Sequence, residues 1–184
     1  QDLISFNSNG ITVGTPYHLS ASNNNGTNIV GWNWNAGGTT VTNTEGTKTA
    51  QVRANPTAGF SIISYTGDGT SGTTVGHGLG VAPKIMFHKD RDSSNNWYTI
   101  TTAVDGSADY LYLNLTNSKA DSGVTAPTSN LVYFTASSES NHNGRDYIMY
   151  AFSEVAGYSK FGSYTGNGST DGTFVFTGFR PAWV

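Results

Sequence analysis

One stretch of this chain starts over near its end, and that recurrence limits what the chain can fold into. Residues 59–89, GFSIISYTGDGTSGTTVGHGLGVAPKIMFHK, are echoed by residues 157–184, GYSKFGSYTGNGSTDGTFVFTGFRPAWV. Gly59, Phe60 and Ser61 return as Gly157, Tyr158 and Ser159, an offset of 98 (59 to 157). Tyr65-Thr66-Gly67-Asp68-Gly69 returns as Tyr164-Thr165-Gly166-Asn167-Gly168, an offset of 99 (65 to 164). Val75 and Gly78 return as Val175 and Gly178, an offset of 100 (75 to 175). Offsets that grow by one mark single-residue insertions in turns, the pattern of a tandem module.

A second echo sets the domain boundaries. Asn25-Gly26, Ile29, Val30, Trp32 and Trp34 correspond to Asn143-Gly144, Tyr147, Ile148, Tyr150 and Phe152, offset by 118 (25 to 143). The two offsets differ because residues 35–58 intervene in the first case and only 153–156 in the second. Within 41–49 threonines alternate without large apolar partners, so a hairpin turning at Glu45-Gly46 is expected, as a solvated ribbon or an edge pairing. The expected organisation is the end of one β-sandwich (1–37), a linker hairpin (38–58), a complete module (59–156) and the start of another (157–184). A module of roughly a hundred residues has the size of a typical sandwich domain. The first residue, Gln1, and the apolar close Pro181-Ala182-Trp183-Val184 read as cuts in a longer polypeptide.

The fold class follows from strand spacing. Short apolar or alternating runs at 60–65, 73–75, 84–88, 97–103, 110–115, 131–136 and 146–152 are separated by Gly, Asp and Asn turns, as in a sandwich. Residues 110–115 are apolar on both faces and read as a central strand. Residues 4–6 and 11–13 flank Asn9-Gly10, a hairpin signal, and 29–34 read as a strand whose Trp32 and Trp34 fill a core. No segment has a capped 3.6-residue period. The expectation is an all-β chain of tandem, jelly-roll-like sandwich modules with almost no helix.

Composition narrows the function. Hydrophobic residues are 36% and charged residues 11%, with aromatics at 12%, so the chain is not of the disordered type. A net charge of −3 without a basic cluster argues against nucleic acid. Cysteine is absent, so thiolate metal sites and disulfides are excluded. A Cys-free chain rich in Asn, Thr and Gly suits a bacterial or viral exterior. No apolar run approaches the ~20 residues of a membrane helix.

Candidate sites are few. The run Asp90-Arg91-Asp92-Ser93-Ser94-Asn95-Asn96 brings oxygen ligands together, and Asp90 and Asp92 are the weak candidates for a Ca²⁺ ion; the central Gly and bidentate Glu of an EF-hand are missing. A hairpin loop with a local Arg–Asp pair explains the run as well. His77 is replaced by Thr177 in the second copy, so a backbone-bonding role fits it better than a metal role. His18, His77, His88 and His142 show no ligand-like spacing. Asp105 with Asp109, and Glu139 with Asp146, are the carboxylate pairs to test for a glycosidase. Trp97 and Tyr98 are adjacent and face opposite ways, so one of them points outward. Tyr98 reads as the contact residue, and Trp97, Asn95 and Asn96 complete the ligand-contact candidates, suited to a glycan by stacking and amide bonding. The Gly-rich strings lack the Lys-Ser/Thr ending of a phosphate loop.

The string GHGLG at 76–80, Pro83, Lys89, Arg91-Asp92 and Trp97, followed by YLYLNLT and then GYSKFGSYTGNG, resembles a tandem β-repeat of marine phage virion and tail-fibre-like proteins. The upstream GWNWNAGG resembles the last strands of a concanavalin-A-like sandwich. The resemblance implies a virion-surface, extracellular appendage that assembles with copies of itself, as a homotrimer, and with other virion proteins. It brings no catalytic residue, cofactor or metal. The expected function is structural and adhesive, with loops offered to a host-surface glycan or protein. The alternatives are a bacterial adhesin or filament subunit and, behind it, a polysaccharide-degrading enzyme.

Overall fold

The computed structural model describes residues 3–15 and 23–184; His18 lies outside them. The chain forms two compact units, residues 1–34 and 35–184. In the first, β1 (Leu3–Asn7) and β2 (Gly10–Val13) pair antiparallel. Asn7 faces Gly10, so the turn is Ser8-Asn9 and Gly10 already belongs to β2, one residue away from the expected Asn9-Gly10 turn. Residues 29–34 form no strand. Val30 and Trp32 are 79% and 66% exposed, and Trp32 meets Trp34 edge-on at 6.4 Å. The expected core strand is therefore absent: its apolar alternation has no ladder beside it among the described residues, and alternation without neighbours does not hold a strand.

The second unit is all-β. Its sheet has eight antiparallel strands, β3 (Val41–Asn43), β4 (Ala50–Asn55), β5 (Phe60–Thr66), β7 (Ile85–Asp90), β8 (Tyr98–Thr101), β9 (Asp109–Tyr112), β10 (Ala120–Asp121) and β12 (Asp146–Phe152). Their order is β10-β9-β8-β7-β12-β5-β4-β3. A separate ribbon of β6 (Thr74–Gly76) and β11 (Leu131–Tyr133) lies against one face. The Thr-rich stretch is an edge pairing, as expected, since Val41 faces Val52 at the sheet's rim. Residues 38–58 thus supply two strands to the same sheet. Residues 110–115 sit near the opposite rim, with Leu113 and Leu115 57% and 44% exposed, so they are not central. The central strand is β12, paired along its whole length with β5 and from Tyr147 to Phe152 with β7.

Two-residue alternation sorts the sheet into two faces. One carries Val52, Ile63, Tyr65, Met86, His88, Ile100, Tyr147 and Met149, and packs against Val75, Leu79, Val132 and Phe134. Tyr65 meets Phe134 at 4.9 Å and Tyr147 at 5.4 Å. Each Val, Ile, Leu, Met or Phe side chain among these contributes roughly 1.5–3 kcal/mol by leaving water. The other face carries Ile62, Ile148, Tyr150, Phe87 and Phe152, all half-buried. Close approach explains one glycine: a side chain at Gly46 would run into the Thr74 backbone, where the β3–β4 loop crosses the ribbon.

Candidate functional site

The loop after β7 is organised from within. Asp90 ends that strand with its side chain buried. Its carboxylate accepts from Ser93 Oγ (2.7 Å), Asn95 Nδ2 (3.0 Å), Arg145 Nη1 (3.0 Å) and the Asp92 amide (2.9 Å). Burial pushes its pKa up, and these hydrogen bonds with the guanidinium charge outweigh that and hold it below the usual carboxylate value. On the loop's other side the Lys89 ammonium donates to the carbonyls of Asp90, Ser93 and Asn95 at 2.8–3.1 Å. Asp92 Oδ2 accepts the Asp146 amide at 2.6 Å.

The oxygens considered for a Ca²⁺ ion therefore already face protein donors and protein cations. Asp90 and Asp92 fix the loop to the start of β12, and that is the chemistry their arrangement can perform. Among the described residues no three His, Cys, Asp or Glu side chains are grouped to hold a metal.

The loop delivers Asn95, Asn96 and Trp97. Asn95 Nδ2 reaches the Ser138 carbonyl at 2.8 Å. Asn96 Oδ1 accepts from Asn114 Nδ2, and Asn114 Oδ1 accepts the Trp97 amide, both at 3.0 Å. Trp97 lies half-buried, its ring stacked on Tyr150 at 6.4 Å and 26°. Tyr98, expected to face outward, is instead 6% exposed inside the core. The register decides this: Tyr98 faces His88, which faces Met149, on the face the ribbon covers. The pKa of its hydroxyl is pushed well above the usual tyrosine value by burial first and by Tyr112 and Tyr110 next. The outward partner is Trp97. The sequence did not reveal that Trp97 stacks on Tyr150 or that Arg145 pairs with Asp90; alternation in 146–152 marks Tyr150 as a strand aromatic, but nothing local links Arg145 to Asp90.

The remaining candidates separate. His77 is buried, with Nε2 donating to the Thr128 carbonyl (3.2 Å) and Nδ1 accepting the Leu79 amide (3.2 Å), the backbone role expected of it. Burial lowers its pKa and keeps it neutral. Asp105 and Asp109 do not face each other across an open groove: Lys119 Nζ lies between them, 2.6 Å from Asp105 and 2.9 Å from Asp109. Glu139 is pushed up by burial and then by the Asp90 charge. Asp146 instead accepts a bond from Thr66 Oγ1 at 2.7 Å.

No curated protein and no solved structure shows significant similarity to the chain. Across residues 1–184 the sequence matches the model of a family described as a domain of unknown function, DUF7483, and the chain belongs to that family.

Proposed function

We propose that the chain is a structural and adhesive part of a virion appendage, a tail fibre, spike or surface fibre. It lines up β-modules for length and offers loops to a host-surface glycan or protein. The observation that carries this reading is a repeat of backbone conformation as well as of sequence. Gly59, Gly69 and Gly78 have φ of 65°, 69° and 71°, and Gly157, Gly168 and Gly178 have 75°, 67° and 80°. Left-handed glycines recur at the offsets read from the sequence, which supports an array of like modules. The resemblance to marine phage virion proteins supports the location, outside the cell on a particle surface. In this reading copies associate as homotrimers and bind other virion proteins, and several weak sites per particle raise attachment strength by about 10²–10⁴.

Antibodies raised against this chain and imaged on particles by immunogold electron microscopy test the assignment. Labelled fibres or spikes, together with a trimer in sedimentation equilibrium, are the expected results. Unlabelled particles and a chain that stays monomeric would sink it.

A further inference from the structure

At one end of the sheet face opposite the ribbon there is a cavity of about 210 Å³, lined by Thr49, Gln51, Ser64, Thr66, Arg91 and Asp146 together with backbone of β4, β5 and β12. The ladder explains why these groups converge. Gln51 faces Ser64, Thr66 faces Asp146, and the amide of Arg91, one residue past β7, bonds the Asp146 carbonyl at 2.9 Å, so three neighbouring strands and the residue after β7 bring polar side chains to one spot. Thr66 spends its hydroxyl on Asp146 Oδ1. The Thr49 and Ser64 hydroxyls and the Arg91 guanidinium have no hydrogen-bond partner among the described residues. The second carboxylate oxygen of Asp146 is open too.

We propose that this cavity binds one ring of a neutral saccharide. The volume lies below the ~300–1,000 Å³ of drug-sized pockets and suits a single small ring. A guanidinium donates and a carboxylate accepts, so neighbouring sugar hydroxyls, which do both, can satisfy Arg91 and Asp146 together. The two charges offset each other, which favours a neutral ring over an acidic one. Among the next same-face residues along the strands, about 7 Å on and again beyond, are Ile148, beside Lys89, and then Ile62 and Tyr150, flanked by Arg53 and Phe87, with Trp97 stacked on Tyr150. That apolar surface offers the stacking on which a following sugar ring lies. The source of the sugar, a host surface, rests on the reading above; the site itself rests on this geometry.

The test titrates the ¹⁵N-labelled chain with methyl glycosides of mannose, galactose, glucose and N-acetylglucosamine and follows the amides and the Arg91 Nε–H by NMR. At least one glycoside is expected to shift Arg91, Ser64 and Thr66. Arg91→Ala and, separately, Thr49→Val are expected to weaken that binding about tenfold or more with the melting temperature unchanged. Shifts confined to Asn95, Asn96 and Asn114 would overturn the cavity while leaving glycan attachment by the loops intact. Silence across the whole panel, or binding indifferent to both substitutions, overturns it outright.

Discussion

Residues 59–78 and 157–178 carry nearly the same motif and meet different fates. Tyr65 is 5% exposed and donates to the Ser140 carbonyl at 2.8 Å; its counterpart Tyr164 is 70% exposed. Val75 is fully buried in the ribbon; Val175 is 48% exposed. The first copy forms β5 and β6, while in the second the isolated bridge between Val155 and Ser159 is the β-pairing among the described residues. Yet the left-handed glycines agree at three matched positions, Gly59, Gly69 and Gly78, and differ at a fourth, where Gly72 has a φ of 87° and Gly172 is not left-handed. Turns are set by residues within a few positions of each other, and glycine alone makes them cheap. Strands are set by neighbours: β5 is held between β4, which precedes it directly, and β12, which comes from far along the chain. The same sequence thus yields most of its turns in both copies and its strands only where partners reach it.

The sharpest way to break this contrast is to truncate the matched tyrosines. Tyr65→Ala removes a ring packed on Phe134 and Tyr147 and strands a buried carbonyl, and is expected to cost about 3–5 kcal/mol. Tyr164→Ala is expected to stay within about 0.5 kcal/mol. Urea unfolding midpoints at constant m-value measure both. Equal losses would mean that the second copy is folded into the same cooperative unit.

The glycines give a smaller difference. A Cβ at Gly78 would sit 3.2 Å from the Ala54 and Val52 side chains at a φ of 71°, whereas Gly178, at 80°, has only the Phe176 ring near, at 4.0 Å. Gly78→Ala is expected to cost about 1–3 kcal/mol, from the left-handed backbone and crowding together. Gly178→Ala leaves the global midpoint in place, and a matched shift in both variants contradicts the contrast.

The same division between local and distant causes sets how much could be read from the sequence. The all-β class and β5, β7, β8, β11 and β12 were visible because alternation and turn residues are local signals. β4 was hidden: Ala50, Val52 and Ala54 are small, and their burial depends on pairing with β5. Residues 29–34 misled for the opposite reason, showing strong alternation without a ladder. The outward member of the pair Trp97 and Tyr98 needed the β7–β8 register. The ion pair of Asp90 with Arg145 joins residues 55 positions apart, a separation that no motif spans.

The smallest effect comes from a titratable position at which the first turns of the two copies differ. Asp68 accepts from the Thr70 amide, from Thr73 Oγ1 and from Asn141 Nδ2; the second copy has Asn167 there. Burial raises the Asp68 pKa, but these bonds and the Lys48 charge lower it more, so the folded state holds the proton less tightly than the unfolded chain does. A depressed folded pKa contributes stability above the unfolded carboxylate value, near 3.9, and that contribution disappears as pH falls through the folded value. Asp68→Asn, which gives the first turn the residue of the second, is expected to cost about 0.5–1.5 kcal/mol at pH 7. The gap to wild type should narrow as the pH is taken from 7 down to about 2 and the native carboxyl takes up its proton. Urea midpoints of the two proteins at both pH values measure it. A gap that stays constant would assign the cost to amide geometry rather than to charge, and would make the Asn167 turn the electrostatic equal of the Asp68 turn.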